Sequence, residues 1–185
     1  MFDEVIGALK IRNAKKLAKW KDREDVLDNL QKEIMDFLVK VMQQSIVVEE
    51  SKEITTLFRM TNNIERIGDE LEDIAEALER MIEDKLYFSE YAIRDYETIT
   101  SEAGEFMELV LTGIREDNKQ IMPEAVRLVN NISRMTEEMK SRHHDRLVEG
   151  TCEIDRGAIF IDILDAFEKM GGFCYNLAQA VAGVK

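Results

Sequence analysis

Proline occurs once in the 185 residues and glycine nine times. A β-sandwich or barrel of this size needs more turn punctuation than that, so long helices are expected. Cysteine occurs twice, at Cys152 and Cys174, which excludes a disulfide framework and a cysteine zinc site. A reduced, cytoplasmic setting is the corresponding expectation. The two histidines are adjacent, His143 and His144, and no Glu-x-x-His pair occurs. That composition argues against a histidine-ligated zinc site and against a carboxylate-bridged dimetal enzyme on a helical bundle. One imidazole is expected to be packed and the other exposed. Basic residues are outnumbered 25 to 38, and the net charge is −13. Nucleic acid is therefore not an expected partner, because binding it requires a basic footprint. No apolar run approaches the roughly 18 residues of a membrane span. Asp3 and Glu4 interrupt the N-terminus where a leader's apolar core would sit, so no secretory leader is expected. No P-loop, dinucleotide loop, Gly-x-Ser-x-Gly elbow or cysteine-nucleophile context appears, and the chain is not expected to be an enzyme.

Regular apolar spacing is present instead. Leu57, Met60, Ile64, Ile67, Leu71, Ile74, Leu78 and Met81 alternate steps of three and four. Phe160, Ile163, Phe167, Met170, Cys174, Leu177 and Val181 do the same. Such stripes line one side of a long helix that packs on other helices. Each position of the second set is a position of the first shifted by 103, Leu57 over Phe160 through Leu78 over Val181. Leu27, Leu30 and Ile34 lie over Ile132, Met135 and Met139 at an offset of 105. Val5, Ile6 and Leu9 lie over Val110, Leu111 and Ile114 at the same offset. These offsets describe an internal duplication with a small indel in a loop.

The expected fold is all-α, a tandem repeat of antiparallel three-helix bundles, with residues 1–86 as the first copy and 87–185 as the second. Helices are expected over 20–46 and 51–86, then over 88–117, 119–148 and 152–183. Asn118 and Pro123 mark one break, and Gly150 with Thr151 as a helix cap marks another. Residues 88–105 have no counterpart in the first copy. Its first helix is therefore expected to be truncated, the chain to be a fragment of a longer one, and part of its apolar surface to lack cover, which favours a homodimer. Lys10, Arg12, Lys15, Lys16, Lys19, Lys21 and Arg23 crowd one basic stretch. It reads as a solvated helix end or as a segment near an anionic membrane surface.

The candidate site is a ladder of oxygen-bearing side chains. At about 100° per residue, Asn62, Glu65, Asp69, Asp73 and Glu76 fall within about 80° of one another, opposite the apolar stripe. Acidic helical proteins place such ladders on solvated faces without further purpose. Like charges four residues apart nevertheless repel, and a hard cation would relieve them. Arg66 could do so instead. Gly68 beside Asp69 leaves the helix bare enough for a ligand or another chain to come close. Further donors would come from a neighbouring helix, with Asp25, Asp28 and Glu33 as candidates, or from another subunit. The second copy keeps Asp165 and Glu168 but has Gly172, Asn176 and Gln179 in place of Asp69, Asp73 and Glu76, a degraded site.

Glu65-Arg66-Ile67-Gly68-Asp69 followed by Asp73-Ile74-Ala75-Glu76 resembles the signature of PhoU proteins, regulators of phosphate uptake. His143, Arg146-Leu147, Gly150, Cys152, Gly157, Phe160, Asp162-Ile163-Leu164 and Glu168 resemble the cytoplasmic PhoU-like domain of bacterial sodium–phosphate cotransporters. The resemblance implies a tandem of three-helix bundles and a regulatory or accessory role in phosphate transport, foremost as part of such a cotransporter. Alternatives are a free-standing PhoU-type regulator and a metal-free helical adaptor. It implies a membrane transport component as partner, in cis or in trans, and a place at the inner face of the membrane. It further implies iron or another divalent metal, held through Glu/Asp-x-x-x-Asp. Glu65 and Asp69 match that motif, Glu168 matches its first half, and Asp73 departs from the usual Asn. No direct phosphate site is legible, since neither a glycine-rich loop nor an arginine cluster at a helix N-terminus can be picked out.

Overall fold

A computed structural model describes residues 1–11 and 19–184. Arg12, Lys15 and Lys16 of the basic stretch lie outside the described residues. The described residues form helices and connecting turns, with no strand among them. In chain order the helices are α1 (Phe2–Ile11), α2 (Trp20–Met42), α3 (Val48–Glu83), α4 (Glu90–Glu116), α5 (Met122–Val148) and α6 (Ile154–Ala182). The architecture is the expected all-α one, with six helices among the described residues.

The helix ends have local causes. Ser89 caps α4 by accepting the Ala92 N–H at 3.3 Å. Asp117 closes that helix in a left-handed conformation, φ 49°, and Pro123 sits in the first turn of α5, where its missing N–H costs nothing. α2 ends at Met42, four residues short of its expected limit. α3 begins at Val48, three residues early, because the Glu50 carboxylate accepts the Val47 N–H at 3.0 Å. It stops at Glu83 rather than 86, where Lys85 turns left-handed at φ 54°. Thr151, expected to cap α6, instead closes α5. Its N–H reaches the Arg146 carbonyl at 3.0 Å while the Gly150 N–H reaches Leu147 at 3.1 Å. This 6→1 and 5→2 pair requires a left-handed residue, and Gly150 supplies it at φ 68°. The cap of α6 is Glu153.

α3 and α6 pack along each other at the centre. α1 and α2 lie on α3, and α4 and α5 lie on α6. Ile74, Leu78, Leu164, Phe167 and Leu177 of the two central helices belong to one continuous core. Tyr96 and Phe167 meet edge to face at 6.1 Å, as do Phe88 and Phe160 at 5.5 Å. The duplication is visible in a close approach. A Cβ at Gly68 would overlap Leu27 Cδ2 of α2, and one at Gly171 would crowd Ile132 of α5 at 3.3 Å. Both pairs sit at equivalent repeat positions. The bare flank at Gly68 is thus filled by α2, not left open for a ligand.

Burial differs between the repeats. Met139 is 3% exposed, whereas its counterpart Ile34 is 42% exposed. Phe167 is fully buried, whereas Ile64 is 37% exposed. In the second repeat the 27-residue α4 packs on α5 and α6, whereas α1 spans only ten residues. Leu30, Phe37 and Leu57 are also exposed, leaving an apolar strip over α2 and the first half of α3.

Candidate metal centre between the second and third helices

α2 crosses α3 so that Asp28 faces Glu65 and Asp69. Their carboxylate oxygens all lie within 4.8 Å of one another. Glu65 is half-buried, and the other two are exposed. Of the three neighbouring donors suggested by the sequence, Asp28 joins the cluster, while Asp25 and Glu33 point to solvent. Asn62 is engaged differently, its Oδ1 accepting from Gln31 Nε2 of α2 at 3.3 Å.

The charge in this groove is poorly compensated. Burial, then Asp69 and Asp28, raises the Glu65 carboxyl above its ordinary range. Burial, then Asp28 and Asp73, does the same to Asp69. Arg66 opposes both shifts but does not reverse them, and its guanidinium lies 5.6 Å from the Phe173 ring of α6. Glu24, one turn before Asp28, is raised to about 7 by burial and then by Asp28 and Glu72. Glu72 is itself raised, by burial and then Glu76. Sequence reasoning missed Glu24 and Glu72. The i, i+4 spacing of Glu24 and Asp28 was the available signal.

The rest of the ladder faces elsewhere. Asp73 and Glu76 line a groove of about 490 Å³ between α3 and α6, with Asp162, Asp165 and Glu168 on the far wall. Lys169 and Arg80 line it as well, and Lys169 Nζ lies 3.1 Å from the buried Glu70 carboxylate. Nothing in the apolar spacing marks Glu70, a buried carboxylate on the inner edge of the ladder face.

The second repeat shows why its version differs. Ser133 stands at the position of Asp28 and donates to Glu168 Oε1 at 3.4 Å. Lys140 Nζ lies 3.0 Å from Glu168 and 2.5 Å from Asp165. The equivalent of Lys140 in the first repeat is Met35. One repeat therefore ion-pairs its carboxylates with a lysine, whereas among the described residues the three carboxylates of the other have only Arg66 to offset their repulsion. Three hard oxygen donors of this kind suit Mg²⁺, Ca²⁺, Mn²⁺ or iron, with water completing the shell. The residues present fit such a group.

Two central helices, α3 and α6, are thus each flanked by two shorter helices, and known proteins share this arrangement. The profile of the PhoU domain matches residues 1–78. A segment of 61 residues is 38% identical to the phosphate-specific transport system accessory protein PhoU homolog of Clostridium acetobutylicum, and it covers 32% of this chain but only 28% of that protein. The PhoU homolog 1 of Thermotoga maritima, also a phosphate-specific transport system accessory protein, is 20% identical over 180 residues, 97% of this chain and 77% of its own. The crystal structure of PhoU from Pseudomonas aeruginosa superposes with a TM-score of 0.89 at 16% identity, covering 97% of this chain and 86% of that one. At that identity the likeness establishes the fold.

Proposed function

We propose that this chain is a regulatory accessory protein of phosphate transport, of the free-standing PhoU type, acting by contact with a membrane transport component. It works at the cytoplasmic face and turns over no substrate. The observation that carries the reading is the alignment of 97% of the chain with an accessory protein of a phosphate-specific transport system. None of the described helices is long and apolar enough to cross a membrane, so any contact with the transporter is made by surfaces such as the acidic grooves and the apolar strip. Asp28, Glu65 and Asp69 would hold a divalent cation or an iron centre that ties α2 to α3, with its shell completed by water or by a second subunit.

A second reading is a domain of a sodium–phosphate cotransporter, favoured by the motif running from His143 to Glu168. Both readings predict that deleting the gene changes phosphate uptake severalfold at a given external phosphate concentration, and that the intact gene restores it. Crosslinking in whole cells separates them by identifying which transporter is captured. Unchanged uptake in the deletion strain would overturn both.

A further inference from the structure

At the opposite end of the second repeat, the turn between α5 and α6 closes over a cavity of about 220 Å³, lined by Ser89, His143, Arg146, Cys152, Arg156 and Phe160 among others. Three of its polar side-chain atoms make no hydrogen bond. Arg146 Nη2 is enclosed and makes no hydrogen bond. Arg156 Nε is enclosed and makes no hydrogen bond, though it is ion-paired with Glu153 Oε2 at 3.0 Å and the side chain is 35% exposed. His143 is 3% exposed, and its Nε2, without a hydrogen-bond partner, packs against Gly157 of α6, where a Cβ would overlap it. Its Nδ1 lies 3.8 Å from Cys152 Sγ. Enclosed donors without acceptors are costly, and charged ones most of all.

The backbone adds to the same field. Arg156 stands in the first turn of α6, where a helix favours negative charge, and the Glu153 side chain makes no cap there. Arg146 and Arg156 both line the cavity at this helix N-terminus, whose first turn also carries Asp155, and Glu153 is the one carboxylate in the lining. The fold assembles this set from residues ten apart in sequence. The Gly150 turn folds Arg146 back beside Arg156, which is why no contiguous phosphate loop announces it. The first repeat has no equivalent, since Leu38 stands at the position of His143.

We propose that this cavity binds a small tetrahedral oxyanion of the phosphoryl class, held by Arg146 and Arg156 at the N-terminus of α6, with the buried His143 in its wall. The volume is below the roughly 300–1,000 Å³ of sites for drug-sized ligands, which favours a phosphoryl group over a nucleotide. The inference does not rest on the accessory function, and either can fail alone.

The test is titration calorimetry of the whole chain with inorganic phosphate, sulfate and phenyl phosphate, against chloride at matched ionic strength. Saturable binding is expected, and Arg146→Gln or Arg156→Gln should weaken it about tenfold each. A response to phosphate and sulfate alike supports the oxyanion class with the free ion as source. A response confined to phenyl phosphate supports it with a phosphate monoester as source. No saturable heat with any of them up to tens of millimolar, or binding unaltered in the double variant, overturns it. Histidine side-chain NMR of the unmodified chain gives a readout independent of variant folding. Phosphate should raise the titration midpoint of His143 and leave that of exposed His144 in place, and an unmoved His143 also overturns the proposal.

Discussion

At the scale of single residues, His143 shows how position decides chemistry. The sequence expects one packed and one exposed imidazole, and the structure buries His143 while exposing His144. Burial, followed by the charges of Arg146 and His144, holds the His143 imidazole below its ordinary range. A base whose folded-state value is depressed is neutral in both states at high pH and costs stability once acid protonates the unfolded chain first. Its contribution is therefore fully present above the unfolded value of 6.5 and is lost as pH falls through the folded one. Melting in chloride buffer is expected to drop more steeply below pH 6.5 for the natural chain than for His143→Leu, which installs the residue of the first repeat. The raised carboxyls of Glu65, Asp69 and Glu72 act in the opposite direction in both proteins and cancel in the comparison. Parallel pH profiles would contradict the assignment.

At the scale of the elements, most of the framework was legible. The stripe from Phe160 to Val181 located α6, and Pro123 located the start of α5, because apolar spacing and proline chemistry act within one helix. The choice among Asp25, Asp28 and Glu33 was not legible. It depends on how α2 crosses α3, which no periodicity within either helix encodes. The Arg146–Arg156 cavity was invisible for a similar reason, since a left-handed glycine between two helices creates it. The repeats also suggest an experiment. If the carboxylates of the first repeat hold a metal, Asp28→Asn, Glu65→Ala and Asp69→Ala should each lower the metal content measured by emission spectrometry. Met35→Lys should do so as well while raising the melting temperature of metal-free protein, because it supplies the ammonium that Lys140 places beside Glu168. Metal content unchanged in all four variants would refute the site.

At the scale of the whole molecule, the two repeats share one core but not one surface. Ile34, Leu57 and Ile64 lie exposed where Met139, Phe160 and Phe167 are covered. We expect a second copy of the chain to cover this strip, since what buries it in the second repeat is another helix of the same protein. Light scattering should then report a dimer for the natural chain and a monomer for Leu30→Glu/Phe37→Glu, with the melting temperature little changed. A monomeric natural chain would disprove the pairing.

Lys140 has a further consequence. An ammonium attached to the backbone is present in every buffer, so the far half of the rod keeps one spacing between its helices whatever ions surround it. The near half has the Gln31–Asn62 hydrogen bond and Leu27 on Gly68 but no ammonium among its three carboxylates, so a bound divalent ion would tighten the gap between α2 and α3. If those carboxylates hold a divalent ion, its removal would loosen that end alone. A protein built from two related halves would then answer its surroundings unequally, with one half held by its own lysine and the other by an ion from solution.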